Sequence, residues 1–151
     1  MNINEELMKR TIQLAISTMD EGNTPFGAII VKDGEIIAEA VNETTSSTDP
    51  TAHAELLAIR KAAKKLGSND LSGCELYASG EPCTMCLSAI YFTGIKKVYV
   101  AYFQEEATEY GLGNPYVRKQ LALSNEERDI KYIPLLPKNV EHPYELWKER
   151  K

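Results

Sequence analysis

Between residues 4 and 21, Leu7, Met8, Thr11, Ile12, Ala15, Ile16 and Met19 recur at helical spacing, and Glu5 and Glu6 stand in the first turn, where the dipole favours acids. The pattern predicts a covering helix, broken by the Gly22 to Gly27 stretch with its Pro25. Two apolar runs follow, Ala28 to Val31 and Glu35 to Ala40, joined through Asp33 and Gly34 and predicted to form a hairpin. Val41 to Thr51 is polar and rich in turn formers, which predicts a loop. Asp49 or Thr51 is expected to cap a helix from about Ala52 to Leu66, ended by Gly67. Its Leu56, Ala58, Ile59 and Ala62 should face a sheet, leaving Arg60, Lys61, Lys64 and Lys65 as a solvated face. Beyond it the chain predicts a buried strand over Glu75 to Ser79, a helix from about Cys83 to Tyr91 closed by Gly94, and a strand over Lys97 to Tyr102. Gln104 to Gly113 reads as irregular, Tyr116 to Leu123 as a short helix, Asp129 to Pro134 as a last strand, and Tyr144 to Lys148 as an amphipathic tail helix. The order α-β-β-α-β-α-β-α-β-α requires crossovers between the later strands. The expected fold is therefore α/β, a mixed five-stranded sheet sandwiched between helices in three layers.

A chain of 151 residues suits one domain, residues 1–151, with a core of its own. Its 43% hydrophobic and 26% charged residues are those of an ordinary globular protein. No apolar run approaches a membrane span, and the first residues lack the basic start and apolar block of a secretory signal, so a cytoplasmic location is expected. The net charge of −5 opposes tight binding to a phosphate backbone, which points to a small neutral substrate rather than tRNA or DNA. Three cysteines do not make a disulfide framework, and a reducing compartment would leave them free as ligands. Cys74 precedes the expected buried strand that begins at Glu75 and reads as a small apolar residue.

Two short words carry the candidate chemistry: Thr-Ala-His-Ala-Glu at 51 to 55 and Glu-Pro-Cys-Thr-Met-Cys at 81 to 86. His53, Cys83 and Cys86 are good first-row metal ligands, and an imidazole with two thiolates leaves the fourth tetrahedral position of a zinc ion for water. A lone C-x-x-C could equally be a redox pair or half of a structural site. A structural site wants a fourth Cys or His, however, and only Cys74 and His142 remain, the latter reading as a surface histidine beside Pro143. Cys83 and Cys86 lie three apart on a predicted helix and can reach one ion. His53 and Glu55, two apart, converge only if both sit at a helix start. Two thiolates cancel much of the zinc charge, so the chemistry needs a base. Glu55 is placed to take a proton from the bound water and pass it on.

With H-x-E followed by P-C-x-x-C, the chain resembles the cytidine and deoxycytidylate deaminase-like superfamily, whose zinc signature this is. Pro25 to Gly34, Asn42, Asp49 to Glu55, Glu81 to Cys86 and Ala89 to Tyr91 are most similar to the bacterial guanine deaminases. The resemblance implies a cytidine deaminase-like sheet of five strands, one Zn²⁺ per subunit on His53, Cys83 and Cys86, and Glu55 as proton shuttle. It implies that the Asn42 amide, the Phe26 ring and the Ala54 backbone meet the base, although Phe26 could be a core aromatic and Asn42 a turn residue. It also implies a homodimer in which about Glu141 to Lys151 is exchanged, with Tyr144 and Trp147 as anchors. Two departures bear on the base. Asn114 stands where those enzymes usually place an acid, and the tail ends at Lys151 without a terminal aromatic. The expected reaction is hydrolysis of a nucleobase or nucleoside amine, with guanine to xanthine plus ammonia preferred. tRNA adenosine deaminase, cytosine deaminase and a non-catalytic zinc-stabilised binding module are the alternatives.

Overall fold

The central strand β1 (Gly27–Lys32) is buried along all but its last residue, because it pairs on both sides. The structure is a computed structural model and describes residues 2–151. Antiparallel to β1 runs β2 (Glu35–Val41), reached through Asp33 and Gly34 at φ 50° and 78°. Two successive positive φ values are what a tight hairpin turn needs to match the strand twist. On the other side β1 pairs antiparallel with β3 (Cys74–Gly80), and β3 pairs parallel with β4 (Val98–Tyr102). The sheet order is β2-β1-β3-β4. The parallel step needs a crossover, which α3 (Thr84–Thr93) supplies.

The two faces of the sheet separate with period two along β1. Ile29 and Val31 point with Tyr77 toward α1 (Ile3–Ser17), whose Leu7 is buried against them and whose Met8 and Leu14 pack at the edge. Asn2 caps α1 by accepting from the Glu5 N–H, and the Tyr77 hydroxyl donates to Asn4 at 2.6 Å, pinning the helix to the sheet. Ala28 and Ile30 point the opposite way, toward Ala54, Ala58 and Ala62 of α2 (Ala54–Leu66) and Ile90 of α3. Small side chains along α2 let it lie close on the sheet. Helices therefore cover both faces of a mixed α/β sheet.

Four differences from the sequence reading have physical causes. The sheet has four strands: residues 129–134 form no ladder, and Ile130 and Ile133 are 77% and 86% exposed. A strand-like composition yields a strand only when a partner edge accepts its hydrogen bonds. Gln104 to Gly113, read as irregular, opens with α4 (Gln104–Glu109), too short to show a helical period. The residue packed on the core beside Ile59 is Leu57, not Leu56, because Leu57 stands three residues from Ala54 on the buried Ala54, Ala58 and Ala62 stripe, whereas Leu56, two residues from Ala54 and from Ala58, falls on roughly the opposite side of the helix. Neither Asp49 nor Thr51 caps α2: Asp49 is tied to the Thr51 N–H and hydroxyl at 2.9 and 2.7 Å, and the cap position falls to His53.

The chain divides into two compact units, one ending at Arg118 and the other beginning at Lys119. The division falls within α5 (Pro115–Leu121). In the second unit, Arg128 donates to the Gln120 carbonyl and to Asn125, and α6 (Pro143–Glu149) is capped by the His142 ring, which accepts from the Tyr144 and Glu145 N–H groups. Among the described residues, no helix is long and apolar enough to cross a membrane.

Gly27 sets the distance between α1 and the sheet, since a Cβ there would lie 2.6 Å from the Thr11 carbonyl oxygen and 2.9 Å from the Ala15 nitrogen. Both are backbone atoms and cannot swing aside. Gly27→Ala is expected to lower unfolding free energy by about 2–3 kcal/mol in chemical denaturation. A loss below about 0.5 kcal/mol, the range of an indifferent surface change, would mean that α1 lifts off freely.

Candidate active site

The starts of α2 and α3 meet below the sheet's carboxyl end. His53 is the N-cap of α2 and Cys83 the N-cap of α3, both in extended backbone, and Cys86 lies one turn into α3. The His53 Nδ1 atom is 3.4 Å from Cys83 Sγ and 3.5 Å from Cys86 Sγ. Donors bound tetrahedrally to one zinc ion at ordinary bond lengths would stand about 3.6 Å apart for nitrogen and sulfur. The spacing and the soft N/S/S donor set fit zinc. Among the described residues this is the His/Cys/acid cluster with its donor atoms all within 4.8 Å of one another.

The charges at this point are crowded. Cys83 is held down to about 4, first by its hydrogen bond with the Cys86 thiol and then by His53, against the effect of burial. Cys86, fully buried, is pushed up by the same shared proton and by desolvation. His53 is raised by its hydrogen bond to Cys83. Beside them Glu55, in the first turn of α2, is 6% exposed, and burial raises its carboxyl to about 7. The expected convergence of residues two apart occurs because His53 is the cap itself and Glu55 lies in the turn it opens.

A cavity of ≈260 Å³ opens over His53, Glu55 and Cys83 and is also lined by Phe26, Asn42 and Asn114. That is near the lower end of small-ligand sites, roughly 300 Å³ and upward. Asn42 is buried, and its Oδ1 accepts from the Thr44 N–H at 3.0 Å and hydroxyl at 2.9 Å. A backbone N–H can only donate, so the carboxamide is oriented with its oxygen on Thr44 and its NH₂ available to the cavity. Phe26 both lines the cavity and packs on the core, close enough to Gly80 that a Cβ there would stand 2.8 Å from its ring. Ala54 is fully buried and contributes no side chain to the lining. Asn114 lines the cavity and caps α5, accepting the Val117 N–H at 3.3 Å.

Thr44, Glu81, Gln104 and Leu112 also line this cavity, and sequence reasoning assigned them no role. Glu81 was inside the quoted word, immediately before Pro82 and Cys83, and a charged residue at a strand end beside a ligand was the available signal. Its carboxyl, although burial alone would raise it, is held below the usual range by hydrogen bonds from the Gln104 N–H and Arg118. Gln104 and Leu112 carried no signal, since contacts between separate elements decide their placement.

Comparisons with known proteins agree with this geometry. Over 145 residues the chain is 44% identical to a guanine deaminase of Bacillus subtilis, covering 95% of this chain and 93% of that one. An X-ray structure of guanine deaminase from Bacillus subtilis superposes with a TM-score of 0.91 at 44% identity, over 99% of this chain and 95% of the other. A tRNA-specific adenosine deaminase of Aquifex aeolicus is 47% identical over 94 residues, 62% of each chain. Residues 1–102 match the cytidine and deoxycytidylate deaminase zinc-binding region, and the chain belongs to that family of zinc-dependent deaminases.

Proposed function

We propose that this protein is a zinc-dependent hydrolase that converts guanine and water to xanthine and ammonia. The observation that carries the reading is the meeting of His53, Cys83 and Cys86 with a buried carboxylate, Glu55, on one small cavity. Support for guanine comes from the extent of the likeness. The guanine deaminase relative matches 95% of the chain, whereas the tRNA-specific relative from Aquifex aeolicus matches 62%, so the likeness to the former extends over about a third more of the chain. The net charge of −5 also disfavours a polyanionic substrate.

His53, Cys83 and Cys86 would hold the metal. Zinc, when bound, supplies a Lewis acid that acidifies water. Glu55, its carboxyl near 7 because it is buried, can accept a proton from water at neutral pH and deliver it to a ring nitrogen, then take the proton of the added hydroxyl as the carbonyl forms and pass it to the departing amine, which leaves as ammonia. The Asn42 NH₂, fixed by Thr44, would donate to an acceptor on the base, the Phe26 ring would pack on its face, and the Ala54 backbone N–H, without a partner inside α2, would meet its edge. Asn114, with its oxygen engaged by α5, would offer N–H groups where an acid would accept.

The functional form is a homodimer that exchanges residues 141–151. Exposed apolar side chains support it: Tyr144 is 79% and Trp147 61% exposed on α6, and Tyr91 and Phe92 on α3 are 75% and 87% exposed. A cytoplasmic site of action is the reading that three free cysteines support, since two of them must stay reduced to bind a metal.

Glu55→Gln is expected to keep its zinc, measured by metal analysis, and to lose about 10²–10⁴-fold in ammonia release from guanine. Loss of less than about tenfold would remove Glu55 from the proton-transfer role. In light scattering at micromolar concentration the protein should have the mass of two chains, and deletion of residues 141–151 should halve it. A full-length monomer rules out the exchanged tail.

A further inference from the structure

One wall of the cavity is made by Gln104, the first residue of α4, and by residues 111–114, which join α4 to α5. This segment is internally stiff. Gly111, at φ 76°, closes α4 with the paired bonds of a Schellman cap: Leu112 N–H to the Ala107 carbonyl at 2.8 Å and Gly111 N–H to Thr108 at 3.0 Å. At Gly113 a Cβ would collide with the Thr108 hydroxyl, so the loop lies directly on α4. Asn114 then caps α5. Yet neither α4 nor α5 contains a buried residue, so apolar packing does little to hold this unit in place.

Glu81 holds it. One carboxylate oxygen accepts the Gln104 N–H at the start of α4 at 2.9 Å, and the other accepts Arg118 Nη2 on α5 at 2.9 Å. The Glu81 carbonyl accepts the Gln104 carboxamide at 2.9 Å, and its N–H donates to the Tyr102 carbonyl at 2.7 Å. Glu81 is two residues from Cys83. The side chain that follows β3 thus grips both ends of this wall.

We propose that Glu81 and Arg118 are positioning residues: their clasp fixes Leu112 and Asn114 relative to the metal-ligand turn, and so sets affinity for the base rather than the rate of the chemical step. The proposal rests on the deaminase reading above and deepens it. Uniform binding contacts act on KM, whereas Glu55 and the metal ligands act on turnover. The Arg118 contact is a single one, so a lysine ammonium can replace it, while a methionine keeps the stem and loses the charge.

The test uses the zinc-loaded full chain. Arg118→Met should raise KM for guanine about tenfold with kcat within about threefold of wild type, and Arg118→Lys should recover most of the loss. Zinc content should be unchanged. Amide hydrogen exchange should speed up over residues 104–117 in Arg118→Met but not over 54–58 or 84–90. A fall in kcat at constant KM, or unchanged exchange over 104–117, overturns the proposal. If the wild type turns over a different base, the KM comparison is made on that base. If it turns over none, the deaminase reading fails, and the exchange comparison alone decides whether the clasp exists.

Discussion

With an imidazole nitrogen 3.4 and 3.5 Å from two sulfurs, and all three within 4.8 Å of one another, the groups cannot all take the charge state that suits them in water. In the protein alone they share protons, with Cys83 driven toward thiolate and Cys86 toward thiol. A divalent cation relieves both, because it favours two thiolates and a neutral imidazole at once. The rest of the fold serves to impose this crowding. Two helix starts must converge, and each places a ligand at the cap position where Ser, Thr or Asp would ordinarily satisfy the free N–H groups. Some helix stability is given up for the metal site, and the buried alanines of α2 and the apolar α3–sheet contacts compensate.

The loop from Val41 to Thr51 illustrates a second constraint. It is polar, yet it lies against the site and must not wander. Buried Asn23 holds it by accepting the Thr45 and Ser46 N–H groups at 3.0 Å and donating to Thr18 and Ser46 hydroxyls. Thr18 in turn donates to the Asn42 carbonyl at 2.7 Å. The orientation of the Asn42 side chain in the cavity is thus inherited from a chain of bonds that begins at the end of α1. Removing any member would leave buried donors or acceptors without partners, a greater cost than the net worth of the bond itself.

Much of this was legible in the sequence, and the reason is locality. The α1 stripe, the Asp33-Gly34 hairpin, α2 with Gly67 behind it and α3 with Gly94 behind it each announce themselves within a dozen residues. The metal donors were legible because Cys83 and Cys86 occur in one word and His53 and Glu55 in another, so only the meeting of two helix starts had to be supplied. The unread parts depend on partners distant in sequence. The segment 129–134 has the composition of a strand and finds no edge. Asp49 has the chemistry of a cap and spends it on Thr51. Asn114 drew notice as a base contact, but its bond to Val117 makes it a helix cap as well.

The same contrast separates the two halves of the cavity energetically. The metal half stands on β1, β3 and α2, where Ala28, Ile30, Leu76, Ala78 and Ala58 are fully buried, so a change there acts on the stability of the whole fold. The facing half stands on α4 and α5, which contribute no buried residue and are fastened through Glu81 by hydrogen bonds and one half-exposed ion pair. Contacts of that kind are worth little to global stability, about 0–1 kcal/mol for an exposed pair, yet they fix atoms that line the cavity. Substitutions in this wall can alter which heterocycle fits without unfolding the protein or losing the metal. The zinc cluster is tied to the core and the facing wall is not, so a strongly specific zinc signature can stand beside a cavity-lining residue, Asn114, where the resemblance implies an acid.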